Sequence, residues 1–361
     1  MQTGMNIGVI GLGVVGVNTA SQLYDLGNAI YASDKKTPSD IEGWNQNFNY
    51  MPEYSLRDTN ATFMALPTPS TEEILYQAMD NNLRLSVIEG RFNESLDQRV
   101  YDILAQYLGR QLSDKKDYHL FVVRSTVEPG RTRKFGEDLQ EFSGKKLGDD
   151  FGVAMVPEFL RAYNSSEDSK KAPLLVVGAF DEKSLDYLVN IYQNLSPDEE
   201  GKSRIYPMSL EEAELVKLES NAINAIMISL HNARLSNYEM IEERTGIDID
   251  YDKMTNVLTK MTETFTNGKY GSTAGLFYGG TCLKKDPGAL LSWLEDQHRI
   301  YSYFSRYIEL GMHVNLHLQK RILNDHKFSK TLAGGIPERL RGRDHETYDN
   351  IRKIQHALDN T

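Results

Sequence analysis

Cysteine is nearly missing: Cys282 is the only one in 361 residues. No intrachain disulfide can form, which fits a reducing compartment. Long apolar runs are missing too. No window approaches the ~18 consecutive apolar residues of a spanning helix, and no basic start leads into an apolar core as in a signal peptide. A cytoplasmic chain with no membrane partner is the expectation. An excess of cations is also lacking. The 40 Lys and Arg face 51 Asp and Glu, for a net charge of −11. That balance argues against broad nucleic-acid binding but leaves room for a local basic pocket around a phosphorylated small molecule. There is no internal repeat and no long low-complexity tract. The remainder, 40% hydrophobic and 25% charged, is ordinary globular composition for two or three domains.

The first half alternates short apolar runs with helical patterns. Met5 to Ile10 predicts a buried strand and runs directly into Gly11-Leu12-Gly13-Val14-Val15-Gly16. A helical pattern through Ala20, Leu23 and Leu26 stops at Gly27, and a second strand, Ala29 to Ser33, ends in Asp34. Strand, glycine turn, helix, strand and acid in this order form a dinucleotide-binding fingerprint. Gly11 allows the tight turn, Gly13 lets the backbone approach a pyrophosphate, and Gly16 lets helix pack on strand. The helix N-terminus faces the phosphate charge, and Asp34 accepts a ribose 2′-hydroxyl. A structural turn with no ligand is the alternative.

Further strands are expected at Ala61 to Leu66, His119 to Arg124, Phe151 to Met155 and Pro173 to Gly178, with helices over Leu96 to Leu108 and after Pro129-Gly130. Pro67-Thr68-Pro69 fixes an extended turn at a strand end, where open α/β sheets bind ligands. The alternation predicts an α/β class: an N-terminal Rossmann-type doubly wound, mostly parallel sheet.

From Ser209 the period changes. Ser209 and Glu212 form a capping box, and a long helix is expected to about Glu243, before Gly246. Lys217 and Asn221, four apart, share a face with Asn224 nearby. They form either a buried polar site or a solvated stripe. A second long helical region is expected from Pro287 to about Asn324, with a break near Gly311. An all-helical domain with long helices thus follows the sheet. The expected division is 1–205, 206–326 carrying Lys217, Asn221 and Cys282, and a polar tail at 327–361.

The lone cysteine lies in Tyr278-Gly279-Gly280-Thr281-Cys282-Leu283-Lys284-Lys285-Asp286. Two glycines permit close backbone approach, and neighbouring lysines favour a thiolate, the nucleophilic form. Asp286-Pro287 looks like an N-cap and first helical position. A lone cysteine is also a common small buried hydrophobe.

Together these segments resemble the UDP-glucose/GDP-mannose dehydrogenase family. Six blocks match in order: GLGVVG with Asp34, LPTP at 66–69, RSTVEPG at 124–130, VPEFLR at 156–161, ELVKLESNA at 214–222 and YGGTCLKKD at 278–286. The resemblance implies oxidation of a nucleotide sugar at C6, twice, with NAD. UDP-glucose is the expected substrate. It implies Cys282 as the nucleophile of a thiohemiacetal and thioester, and Glu158 as acid/base for the hydrolytic water. Lys217 and Asn221 would stabilise oxyanions, and Asp286 and Thr126 would position a water. Gly11, Gly13, Val14, Val15, Gly16, Asp34, Thr68, Thr126 and Lys285 would hold the cofactor. Glu158, Phe159, Leu160, Lys217, Asn221 and Gly279 would line the substrate, no metal is implied, and the helical part would form a homodimer.

The pattern departs from the family at Ala162, Leu174, Phe277 and Lys284. No glycine-rich strand-turn-helix follows the last long helix, so the family's C-terminal nucleotide-sugar-binding domain is expected to be missing. Two other readings stay open: an NAD-dependent dehydrogenase of the same superfamily on another alcohol, and a non-catalytic NAD-binding partner subunit.

Overall fold

The computed structural model describes residues 4–69, 96–159, 174–197, 203–262 and 282–324. Two compact units divide at Ala222/Ile223.

The first unit is built on strands β1 (Asn6–Ile10), β2 (Ala29–Ser33), β3 (Asn49–Tyr50), β4 (Ala61–Met64), β5 (His119–Val123), β6 (Phe151–Met155), β7 (Leu175–Ala179) and β8 (Ile205–Met208). Its helices are α1 (Val14–Asp25), α2 (Arg99–Leu112), α3 (Arg131–Ser143), α4 (Glu182–Ile191) and the start of α5 (Leu210–Thr245). The sheet order is β3-β2-β1-β4-β5-β6-β7-β8. Pairing is parallel except between β6 and β7. The chain builds outward from β1 to β3, then crosses back to β4. β1 and β4 therefore flank the switch point where such sheets hold ligands beyond their strand C-termini. β8 straddles the 205/206 boundary expected from the sequence, so the sheet extends to Met208.

The continuous apolar run of β5 has a simple cause: both faces of the sheet are covered. Leu120 and Val122 pack with Ile7, Val9, Ala20 and Leu23 of β1 and α1. Phe121 and Val123 pack on the other face with Tyr101 and Leu108 of α2 and Phe135 of α3.

His119 opens β5 and is fully buried. Its Nε2 lies 2.7 Å from Thr62 Oγ1, which lies 2.7 Å from the Tyr54 hydroxyl. Burial pushes His119 down to about 3 from 6.5, and the nearby Lys115 adds to this. The folded protein therefore keeps His119 neutral while the unfolded chain protonates it below pH 6.5. Stability is present above that pH and is lost as pH falls toward 3. The expected loss from this residue is about 2 kcal/mol at pH 5. Urea denaturation at pH 7 and about pH 5 should show it, and His119→Gln should flatten that difference. An unchanged pH response in the variant would contradict this origin.

The junction into α5 is held at two points. Ser209 and Glu212 exchange backbone bonds, Ser209 N to Glu212 Oε2 at 2.8 Å and Glu212 N to Ser209 Oγ at 3.2 Å, the expected capping box. Buried Glu214 then accepts from Gly130 N at 2.6 Å and Thr132 N at 2.7 Å. No side chain at Gly130 caps α3, so a carboxylate from α5 supplies the missing acceptor. Burial pushes the Glu214 carboxyl up, against the hydrogen bonds that favour its charge. Residues 214, 217 and 221 share one helical stripe. Docking Glu214 on α3 therefore orients Lys217 and Asn221.

The second unit holds the rest of α5, α6 (Tyr251–Met261), α7 (Cys282–Leu291), a π-helical segment (Ser292–Gln297) and α8 (Tyr303–Asn324). Among the described residues, Ile241, Leu294 and Ile300 form a small buried cluster in it. Two features differ from the expectation. Helix α7 already includes Cys282, so Asp286 is not its N-cap and Pro287 lies inside it; the helix forgoes the one bond that proline cannot donate. The helical region breaks at Arg299–Ser302, not at Gly311, which lies within α8. The restart has a local cause: Ser302 Oγ accepts from Ser305 N at 3.1 Å and donates to Asn237 Oδ1 at 2.7 Å. The tail at 327–361 lies outside the described residues.

Candidate active site

The turn after β1 has the shape a dinucleotide needs. Gly11 has φ +86°, and a Cβ there would lie 2.4 Å from Ala65 O. A Cβ on Gly16 would lie 1.7 Å from Gly11 O, while one on Gly13 would meet nothing within 4 Å. Two glycines thus serve the protein's own packing, and the third leaves open space in front of α1. Val14 and Val15 open that helix, and no side chain caps it at Gly13. Its first N–H groups face that space, as a pyrophosphate requires. Asp34 Oδ2 accepts from Leu12 N at 2.5 Å and Oδ1 from Lys36 N at 2.9 Å. The acid is fixed to the turn where a ribose hydroxyl would reach it. These residues fit a bound NAD.

The ends of β4 and β5 are joined beside it. Thr68 Oγ1 donates to Thr126 O at 2.6 Å, and Leu66 N donates to Ser125 Oγ at 2.9 Å. Thr68 and Thr126, both expected at the cofactor, are thus brought together.

Beyond β6 stands Glu158. Its Oε2 pairs with Arg124 and its Oε1 accepts from Phe159 N at 2.9 Å. Lys217 Nζ lies 5.2 Å from the centroid of the Phe159 ring and donates to Asn221 Oδ1 at 3.2 Å. Burial pushes the Lys217 amine down, and the Glu158 charge opposes that shift. Glu158, Phe159, Lys217 and Asn221 therefore meet at one edge of the first unit. Asn224 is exposed.

Leu160 and Gly279 lie outside the described residues. Cys282 and Lys285 stand on α7, and their side chains are likewise outside the described set. Asp286 is exposed on the same helix. Two residues that sequence reasoning did not single out are Arg124 and Glu214. The signal for Arg124 was a cation closing the apolar run HLFVV, since a buried charge needs a partner.

Fold and turn together define a Rossmann-type dinucleotide-binding protein. Comparison with known proteins narrows this. Residues 5–196 match the NAD binding domain of the UDP-glucose/GDP-mannose dehydrogenase family, and residues 211–316 match its central domain. The chain belongs to that family, and its cofactor is NAD.

UDP-glucose 6-dehydrogenase AglM of Haloferax volcanii is 32% identical over 268 residues, covering 74% of this chain and 54% of that protein. GDP-mannose 6-dehydrogenase of Azotobacter vinelandii is 30% identical over 292 residues, covering 79% of this chain and 63% of that protein. The chain thus spans between half and two thirds of the length of these curated relatives. Among solved structures, GDP-mannose dehydrogenase of Pseudomonas aeruginosa superposes with a TM-score of 0.69 at 23% identity, covering 89% of this chain and 70% of that one. This supports the fold. No helix among the described residues is long and apolar enough to cross a membrane.

Proposed function

We propose that the chain oxidises a nucleotide sugar at C6, from primary alcohol to carboxylate, with UDP-glucose as the foremost substrate. The observation that carries this reading is the meeting of Glu158, Phe159, Lys217 and Asn221 at the strand-end edge of a dinucleotide-binding sheet. Bound NAD+ supplies a hydride acceptor for each of two oxidations.

The alcohol first passes its proton to the water that Asp286 and Thr126 position and loses a hydride to become an aldehyde, with Lys217 and Asn221 stabilising its anionic oxygen. The Cys282 thiolate adds to the aldehyde carbon and the oxygen takes a proton, giving a thiohemiacetal. Loss of a second hydride from that carbon, with the hydroxyl proton passing to the same water, leaves a thioester. Water then attacks with Glu158 accepting its proton, the C–S bond breaks, and the carboxylate leaves as the thiolate returns.

In this reading Asp286 and Thr126 position a water, Lys285 and Thr126 lie near the cofactor, and Leu160 and Gly279 line the sugar. Residues 1–205 carry cofactor binding and 206–326 carry Lys217, Asn221 and Cys282. Cys282 must stay reduced, so a cytoplasmic setting is part of the proposal. The test is NADH formation with UDP-glucose, GDP-mannose and simple alcohols in turn. NADH from a nucleotide sugar is expected, and NADH from simple alcohols alone would overturn the reading.

Two further outcomes follow from the geometry. Asp34 should repel a 2′-phosphate, so NAD+ should bind on the order of 100-fold more tightly than NADP+. Asp34→Ala should narrow that gap. Titration with both cofactors decides it, and equal affinities in the wild type would refute the role. The helical unit should form a homodimer. Helix α6 has no buried residue, and Met254, Val257 and Met261 are exposed at helical spacing. Sedimentation should give a dimer, and a monomer at every concentration would count against it.

A further inference from the structure

Arg124 is 3% exposed, a cation almost entirely removed from water. Each nitrogen of its guanidinium has a separate acceptor. Nη2 pairs with Glu158 Oε2, Nη1 donates to Val156 O at 2.8 Å, and Nε donates to Thr19 Oγ1 at 3.2 Å. Its backbone N–H donates to Met64 O at 2.9 Å, which fixes the start of the side chain at the end of β5. Thr19 is itself held, donating to Val15 O at 2.8 Å in the first turn of α1. A continuous path therefore runs from the glycine turn through α1 to the Glu158 carboxylate. Tyr192, buried beside this pair, makes no hydrogen bond to either member. Among the described residues, the guanidinium alone holds Oε2.

We propose that Arg124 is a positioning residue that fixes the Glu158 carboxylate for attack by the hydrolytic water. This rests on the acid/base role of Glu158 given above. A planar guanidinium held at three points sets direction as well as charge. With Oε2 fixed, Oε1 takes the N–H of Phe159, whose ring faces Lys217. Arg124 thereby orders the approach to the whole edge without touching substrate. Loss of Arg124 should slow thioester hydrolysis more than either oxidation, because Glu158 acts as a base only in hydrolysis.

The experiment gives UDP-glucose and NAD+ to the full chain as wild type, Glu158→Gln, Arg124→Met, Arg124→Lys and the Arg124→Met/Glu158→Gln double variant. Intact mass after rapid quenching measures the adduct on Cys282. Glu158→Gln should slow its hydrolysis by about 100-fold, and Arg124→Met should accumulate the same adduct to a similar extent. The double variant should be no slower than Glu158→Gln, since both act through one group. Arg124→Lys should fall between wild type and Arg124→Met.

Thermal melts accompany each variant. If Arg124→Met does not fold, Thr19→Val, which removes the Nε acceptor and leaves the other two contacts of the guanidinium in place, must also raise the adduct above wild type. Adduct in Glu158→Gln but wild-type hydrolysis in the Arg124 and Thr19 variants would overturn the inference and leave the proposed function standing. Multiplicative effects in the double variant would overturn it as well. Adduct in none of the variants would overturn the proposed function itself.

Discussion

Cys282→Ala should lower carboxylate formation by at least about 1,000-fold while leaving some interconversion of alcohol and aldehyde. The first oxidation needs a proton acceptor, bound cofactor and stabilisation of one anionic oxygen, none of which involves sulfur. The second differs in kind. An aldehyde carbon carries its remaining hydrogen on a trigonal centre, a poor hydride donor. Thiolate addition makes that centre tetrahedral, with an oxygen whose lone pair can expel the hydride. Cys282→Ser retains a hydroxyl that could add in the same way, and the ester it leaves should hydrolyse slowly. Product analysis by mass spectrometry separates these cases. If Cys282→Ala makes carboxylate at the wild-type rate, the thiol is not the nucleophile.

Gly13→Ala and Gly16→Ala should fail in opposite ways. A methyl group at Gly13 meets nothing within 4 Å of the protein. Gly13→Ala should therefore fold normally and melt near the wild-type temperature. Its methyl would stand in the space in front of α1, and NAD+ affinity should drop by about 100-fold, or roughly 2.7 kcal/mol. At Gly16 the methyl would lie 1.7 Å from Gly11 O, a backbone atom that cannot rotate away. Gly16→Ala must push α1 off β1 and should cost about 3 kcal/mol of stability before any cofactor is added. Calorimetric titration and chemical denaturation on both variants decide the matter. Normal NAD+ binding by Gly13→Ala would remove the pyrophosphate from that turn.

Much of this was legible in the sequence because the local signals agreed with the fold. The run from Met5 to Asp34 combines a strand buried at its centre, a turn that glycine alone fits, and a helix with one apolar face, and the structure follows it nearly residue by residue. Ser209 and Glu212 announced α5 in the same way.

Elsewhere the pattern was ambiguous. β8 was hidden by Pro207, which a strand tolerates here because β8 is the edge of the sheet. Asp286-Pro287 carried the marks of a helix start and lies inside a helix that already includes Cys282. Gly311 suggested a break, yet Ser302 supplies the cap at which α8 restarts. At the candidate site, the family resemblance marked Glu158, and helical spacing together with that resemblance marked Lys217 and Asn221. The contacts that orient them, Arg124 to Glu158 and Glu214 to α3, join residues 34 and 84 positions apart. No local pattern encodes such pairings.

The most direct test is a count. With enzyme and NAD+ in excess and UDP-glucose limiting, NADH released per sugar is measured at completion. A thiol-mediated double oxidation gives two NADH and one UDP-glucuronate per UDP-glucose. One NADH per sugar, with free aldehyde as the end product, would contradict it.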